Sequence, residues 1–125
     1  MESLGQNGKI LSIYEIGAIE YKVKGLLQIT SVLDRLIGVY AENIKYEKKT
    51  CSVKTLKPFS ISEMTNGISM ALINSIGDIK PEVIKLILDL GYTDAENIYN
   101  LILSRVSMFY TILRIGEYDY NIIII

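Results

Sequence analysis

Apolar residues repeat at helical spacing along much of the chain. They recur every three or four positions over residues 26–46, which predicts a long amphipathic helix with one buried face. Over residues 93–115 they cover almost the whole circumference of a helix, so this final helix is predicted to lie in the core or in a subunit interface. Residues 10–24 fit both periods, because the alternation over residues 19–24 also suits a strand. We favour a helix there and keep a strand at its end as the alternative.

Short-range signals mark the ends of further helices. The segments Ser-Ile-Ser-Glu over residues 60–63 and Thr-Asp-Ala-Glu over residues 93–96 both match the capping box. In that motif a hydroxyl and a carboxylate satisfy the first backbone N–H groups of a helix. Gly77 is predicted to end a helix in the left-handed conformation, and Gly91 is predicted to end the next helix. Pro81 is predicted to open one, because the first helical turn does not need its missing N–H.

An arm over residues 48–57 breaks the helical period. Its β-branched residues alternate like those of a strand, and Pro58 ends it. The C-terminal tail, residues 117–125, also alternates and ends in four consecutive Ile. We predict that the tail pairs with the arm within the chain; the alternative is a strand added to a neighbouring subunit. The predicted fold is mainly α, a four- to five-helix single domain over residues 1–125 with this small β element and a flexible lead over residues 1–9.

Composition narrows the classes of function. The chain has 125 residues with 13 basic and 14 acidic side chains, so a generally basic nucleic-acid coat protein is excluded. It contains no His and a single cysteine, Cys51. These counts exclude His-based triads, zinc sites and disulfide frameworks. No spacing of the remaining Lys, Tyr, Glu and Arg singles out a catalytic set, so we predict no enzyme, no cofactor and no metal.

The sequence does not show the pattern of a signal peptide or of a transmembrane helix. The first nine residues lack the basic and apolar regions of a signal peptide. The longest apolar stretch, residues 98–115, carries Arg105 and Arg114, which make a transmembrane helix costly. With a single Cys, these features predict an intracellular, cytoplasmic protein without a membrane partner. The Ile-rich, Gln-poor composition is typical of a thermophilic source, including archaea and their viruses.

Residues 45–57, here called the basic elbow, hold five lysines against one glutamate. Nine basic and six acidic residues precede Pro58, whereas four basic and eight acidic residues follow from there, so the two halves differ in sign. The elbow is interpreted as a solvated loop, as a contact for an acidic protein, or as a phosphate contact with Tyr46 stacking on a base. The predicted contact residues are Lys45, Tyr46, Lys48, Lys49, Lys54 and Lys57.

The tail and the final helix together predict an interface. Four Ile at a free end expose a large apolar surface unless something covers them. We therefore expect a non-enzymatic assembly or interaction subunit, either a homo-oligomer or a small subunit of a larger complex. The alternative is a small nucleic-acid-binding subunit or regulator, as in an RNA-guided or viral nucleoprotein complex, that uses the basic elbow. The predicted interface residues are Phe109, Tyr110, Leu113, Ile122, Ile123, Ile124 and Ile125.

Overall fold

The computed structural model describes residues 3–4, 10–27, 29–35, 41–47 and 49–125. Within them the helices are α1 (Ile13–Leu27), α2 (Ile29–Asp34), α3 (Ile61–Asp78), α4 (Lys80–Asp89) and α5 (Ala95–Ser104), and a 3-10 turn (Val106–Met108) follows α5. The strands are β1 (Ser3–Leu4), β2 (Ile10–Leu11), β3 (Ala41–Glu47), β4 (Thr50–Thr55), β5 (Tyr110–Arg114) and β6 (Asp119–Ile124). In these ranges, no helix combines the length and the apolar character that crossing a membrane requires.

The prediction of a mainly α fold with a small β element is wrong, because strands form where helices were expected. The segment 26–46 contains α2 and the larger part of β3 instead of one helix. The helix expected over residues 93–115 ends at Ser104, and β5 follows it. A four-stranded antiparallel sheet therefore makes this an α+β fold. Thr111 and Ile112 are β-branched and suit a pleated sheet, so strand pairing prevailed over the apolar helical pattern.

The C-terminal strand does pair with the arm, as expected, but the two strands form the centre of the sheet. The strand order is β3-β4-β6-β5, and every neighbouring pair is antiparallel. Cys51 on β4 lies opposite Ile122 on β6, and Val53 lies opposite Tyr120. The edges of the sheet are β3 and β5. The chain thus ends in a strand that has a hydrogen-bonded neighbour on each side.

The contacts divide the chain into two compact units. Unit 1 consists of Met1–Gln28 and Ser75–Arg105, and unit 2 consists of Ile29–Asn74 and Val106–Ile125. Unit 1 therefore contains the short β1–β2 ribbon with α1, α4 and α5. Unit 2 contains the four-stranded sheet, α2 and the first part of α3.

Unit 1 is built on the amphipathic faces of α1, α4 and α5. The helix predicted for residues 10–24 is confirmed from Ile13 onward, and Ile10–Leu11 forms the short β2. Glu20 on α1 is buried as well, and Arg105 Nε donates a hydrogen bond to its Oε2 at 2.6 Å. The aliphatic side chains buried on these helices are Ile16, Ile19, Val23, Leu27, Val83, Ile87, Ala95, Ile98 and Ile102.

One of the two predicted capping boxes is confirmed. Ser60 Oγ accepts the Glu63 N–H at 3.1 Å, and Glu63 Oε1 accepts the Ser60 N–H at 3.0 Å. The box predicted to start at residue 93 is wrong, because Asp94 is the N-cap of α5 and makes no side-chain capping bond. Its carboxylate instead accepts the side-chain amide of Asn97 at 2.9 and 3.1 Å. The helix therefore begins one residue later than the capping box requires, so Glu96 is not at its third position.

The predicted boundaries of α4 are confirmed at both ends. Pro81 lies in its first turn, and Gly91 follows its C-terminus with a φ of 98°, which favours glycine over other residues. The prediction that Gly77 ends a helix is wrong, because α3 continues to Asp78. A glycine inside a helix costs only about 1 kcal/mol, so packing of the last turn of α3 is sufficient to keep it helical.

One face of the sheet in unit 2 is covered by α2 and α3, and we call it the covered face. Every second residue of the central strands is buried there, and none of these is more than 2% exposed: Cys51, Val53, Thr55, Tyr120 and Ile122. Leu33 from α2 and Ile68 and Leu72 from α3 line one small apolar cleft together with Ile122. The alternate residues of the four strands form the opposite face, here called the open face.

Tyr120 ties the covered face to the start of α3. Its hydroxyl accepts the N–H of Phe59 at 3.0 Å and donates to the carbonyl of the same residue. Phe59 directly precedes the capping box of α3. This side chain therefore holds the chain where it leaves the loop and enters the helix.

Candidate functional site

The open face carries two lysines of the basic elbow. The elbow is the β3–β4 hairpin, in which Lys45 pairs with Ser52 and Lys54 pairs with Asn43. Directly paired residues share a face, so Lys45 and Lys54 are diagonal neighbours on the open face. Both are exposed, and neither forms an ion pair within the part of the chain that the structure describes.

Lys49 and Lys57 lie elsewhere in the elbow. Lys49 lies in the turn between β3 and β4, and Lys48 lies outside the described residues. Lys57 follows β4, and its Nζ lies 5.1 Å from the centroid of the Phe59 ring, which is within the range of a cation–π contact. The structure therefore brings Lys45 and Lys54 together on one face and places Lys49 and Lys57 away from them.

Tyr46 is not placed to stack on a base bound at the open face. It pairs with Cys51, so it belongs to the covered side of β3. Its hydroxyl donates to Asp34 Oδ1 at 2.5 Å. Partial burial and the negative charge of Asp34 raise the pKa of the Tyr46 hydroxyl well above its usual value. The predicted combination of phosphate-binding lysines with this aromatic ring is thus split between two faces.

A groove lies on the open face where β3, β4 and β6 meet the end of the β5–β6 hairpin. Its volume is about 200 Å3. The polar residues that line it are Asn43, Lys45, Ser52, Lys54 and Asp119. Ile115 lines it as well, together with Val53 and Tyr120, whose side chains are buried on the covered face. Two lysines, one aspartate, one asparagine and one serine are therefore among the residues that line a single small volume.

The interface residues predicted from the apolar pattern cluster around β5 and β6 but differ in exposure. Phe109, Tyr110 and Ile122 are buried. Ile123 and Ile124 are half-buried. The exposed members of the set are Leu113, at 47%, and Ile125, at 62%. The last strand is therefore largely part of the fold, and the members of the set that a partner could contact are Leu113 on β5 and Ile125 after β6.

The two edges of the sheet differ in how they are protected. On β3 the register shifts between Ala41 and Asn43, which marks a bulge or irregularity. The exposed side chains of that strand include Glu42, Lys45 and Glu47. Bulges and charged side chains are the devices by which natural sheets prevent edge-to-edge association. The β3 edge is therefore built to remain free.

The β5 edge has no comparable protection within the described residues. Its pairing with β6 is in continuous register, and Arg114 at its end is the one charged residue in the strand. Exposed apolar side chains flank or lie on it, each between 47% and 62% exposed: Met108, Leu113, Ile115 and Ile125. This edge therefore presents apolar surface where β3 presents charge.

The hydrogen bonds of β5 identify which backbone groups point away from the sheet. The Ile125 N–H donates to the Phe109 carbonyl at 2.9 Å. The Ile115 N–H donates to the Asp119 carbonyl at 2.9 Å. Antiparallel pairing alternates the direction of successive residues, so the odd-numbered residues of β5 face β6. The N–H and C=O groups directed outward at the free edge belong to Tyr110, Ile112 and Arg114.

The buried cysteine, Cys51, has the properties of a structural residue. Burial of Cys51, reinforced by the charge of Asp34, raises the pKa of its thiol to about 11, so the unreactive protonated form prevails at neutral pH. No group of three or more His, Cys, Asp or Glu in the described ranges is arranged to hold a metal ion.

Sequence reasoning missed the β5 edge because it assigned this segment to the final helix. A signal was present in Tyr-Thr-Ile-Leu-Arg over residues 110–114, since aromatic and β-branched residues favour strands. The exposed edge itself has no local signal, because strand order determines which strand lies outermost.

No protein-family model matches this chain, and the searches of curated proteins and of solved structures also return no match.

Proposed function

We propose that this chain is a non-enzymatic assembly subunit that forms a homo-oligomer by pairing its β5 edge with the β5 edge of a second copy. The contrast between the two edges carries this proposal. The β3 edge is irregular and charged, whereas β5 is regular and flanked by exposed apolar side chains. Sheets protect the edges that stay in solvent, so an unprotected apolar edge favours burial against another strand.

A two-fold axis beside Ile112 brings the outward N–H and C=O groups of one β5 edge opposite those of a second copy. Antiparallel pairing then places Ile112 opposite its own copy and Tyr110 opposite Arg114. Each of these pairs has its N–H and C=O directed toward the other strand, so the three pairs supply about six hydrogen bonds. Edge pairing of this kind is a recognised mode of strand addition. The result is one continuous sheet that runs through both subunits.

Exposed apolar side chains near β5 would add buried apolar area to the hydrogen bonds of the backbone. Leu113 lies on the open face of β5, and Ile125 follows β6 and hydrogen-bonds to Phe109. Leu113 lies beside the proposed seam and loses solvent contact when it forms, whereas Ile125 lies on the β6 side of β5, one strand behind the seam. Tyr110 and Ile122 act differently, because they are buried in the subunit and hold the strand that presents the edge.

Lysine substitution at the edge tests the proposal. Leu113→Lys places a charge on the exposed face of β5, the device that the β3 edge already uses. We expect light scattering to show a dimer or a larger homo-oligomer for the parent chain and a folded monomer for Leu113→Lys. Asn43→Lys is the matched control, because it adds the same charge to the same face at the opposite edge.

The outcomes separate the alternatives. Circular dichroism must show that both variants are folded. A parent chain that is monomeric at tens of micromolar concentration overturns the proposal of a homo-oligomer. An oligomer that survives Leu113→Lys and dissociates with Asn43→Lys assigns assembly to β3 and overturns the assignment to β5.

A further inference from the structure

The groove on the open face is a second feature, separate from the β5 edge. Lys45 and Lys54 approach it from neighbouring strands, and Asp119 approaches it from β6. The carboxylate of Asp119 accepts no hydrogen bond from the side chains that the structure describes, and the two ammonium groups have no ion-pair partner there. Three charged residues therefore line one small groove, and none of the three forms an ion pair with a described residue.

We propose that this groove binds the sugar-phosphate unit of a ribonucleotide, with the phosphate at Lys45 and Lys54 and the ribose hydroxyls at Asp119. Lysine ammonium groups are common phosphate ligands. A carboxylate repels phosphate but accepts hydrogen bonds from ribose hydroxyls, as acidic residues do in dinucleotide-binding folds. A site with two lysines and one aspartate therefore fits a sugar-phosphate better than it fits an inorganic anion alone. This proposal goes beyond assembly and does not depend on it.

The size and openness of the groove set what it can hold. A volume of about 200 Å3 is below the range of roughly 300–1,000 Å3 that is typical of pockets for larger organic ligands. The groove is large enough for one sugar-phosphate unit with the base outside it, and because it lies on an open sheet face, a strand can enter and leave it. The ligand is therefore a ribonucleotide that is either free or part of a single RNA strand.

The surrounding side chains argue for contact with the backbone of the nucleotide. Tyr46 lies on the covered side of β3, and Tyr120 is fully buried with the Arg114 guanidinium 5.7 Å from its ring centroid. Within the described part of the open-face strands, no exposed aromatic ring is available for base stacking. Recognition then rests on phosphate and ribose, which predicts weak sequence preference and strong dependence on salt.

Fluorescence anisotropy with a labelled oligouridylate of about twelve nucleotides tests the site. Lys45→Ala with Lys54→Ala is expected to weaken binding by about tenfold for each lysine, the loss of one hydrogen bond to a charged group. The matched control is Lys49→Ala with Lys57→Ala, which removes the same charge from the same hairpin outside the groove. We expect the control to bind nearly as tightly as the parent chain. Two phosphate contacts also predict a slope of about −1.4 for log affinity against log salt.

Asp119→Asn tests the ribose contact separately. It removes the carboxylate charge, so we expect it to reduce the preference for oligouridylate over the matching deoxyuridine strand. A preference that stays unchanged overturns the ribose assignment. Because Asp119 precedes a central strand, amide spectra are needed to show that the variant is folded.

Uridine monophosphate distinguishes the two sources of the ligand. Its binding is followed by shifts of the backbone amide signals of Ser52, Lys54 and Asp119. Equal affinity for the monophosphate and the strand identifies a free nucleotide, whereas much tighter binding of the strand identifies RNA. Equal loss of affinity in both double-lysine variants shows general charge attraction and overturns the groove as the site. Binding of neither ligand at low salt overturns the proposal as a whole.

Discussion

Replacing Ile122 by alanine tests the position of the C-terminal strand inside the sheet. Ile122 is fully buried, between Cys51 on β4 and Ile112 on β5. Truncating a buried Ile to Ala typically costs about 2–5 kcal/mol, because apolar burial is lost and a cavity is left. With strands on both sides, little collapse is possible, so we expect about 3 kcal/mol. Ile123, one residue later, is half-buried on the open face, where the same change is expected to cost about 1 kcal/mol.

Urea unfolding followed by tyrosine fluorescence measures this difference, since Tyr110 and Tyr120 both lie in unit 2. A loss of about 3 kcal/mol is about two decades in the unfolding equilibrium constant. Amide exchange of β4 and β6 adds a local probe, which is needed because two compact units need not unfold as one transition. The slope of the free energy against urea should stay unchanged for both variants.

Equal losses for the two variants, or a larger loss for Ile123→Ala, contradict the described register. A shift of one residue exchanges the two faces of a strand, so the buried Ile would then be the neighbouring one. Deletion of residues 122–125 gives a second check. It removes partners of both β4 and β5, so unit 2 should lose its structure. A deleted chain that stays folded is incompatible with an interior strand.

Two further predictions concern single buried groups. Tyr120→Phe removes both hydrogen bonds between the hydroxyl and the backbone of Phe59, so the free energy of unfolding should fall by about 1–3 kcal/mol. Tyr118→Phe is the control, because the Tyr118 ring is more exposed. Equal losses in the two variants would contradict the role of the buried Tyr120 hydroxyl. The thiol of Cys51 has a pKa raised from 9.0 to about 11 by burial and by the charge of Asp34, so folding favours its protonated form. Its contribution to stability is full below about pH 9 and is lost as pH rises through about 11. Unfolding midpoints between pH 8 and 11 should therefore fall more steeply for the parent chain than for Cys51→Ala, and parallel profiles would contradict this.

Charge counting identified part of the candidate groove. The basic elbow led to Lys45 and Lys54 because lysines are concentrated there. It also included Lys57, which lies over the Phe59 ring instead. It omitted Asp119, which lies far away in the sequence and reaches the groove only through the pairing of β4 with β6. Net charge along a segment contains no information on which face of a strand each side chain occupies.

The amino-acid sequence by itself determined the features that depend on neighbouring residues. The capping box of Ser60 and Glu63, the position of Pro81 and the left-handed Gly91 all act within a few residues. Such interactions form in the same way in many tertiary contexts, because their geometry is fixed by the local backbone. The alternation in the arm and in the tail was also sufficient to predict that the two segments pair.

Only the tertiary structure decided where the final apolar segment stops being helical and which edge of the sheet is left open. Residues 98–115 are apolar enough to be buried in either conformation, so their own pattern does not choose between them. Strand pairing determines the conformation, because Ile112 lies beside Ile122 and the backbone of β5 hydrogen-bonds to β6. Arg105, just after α5, is held by Glu20, 85 positions earlier. These contacts join residues that are distant in sequence, and their energy is gained only once the whole sheet and the helices around it have formed.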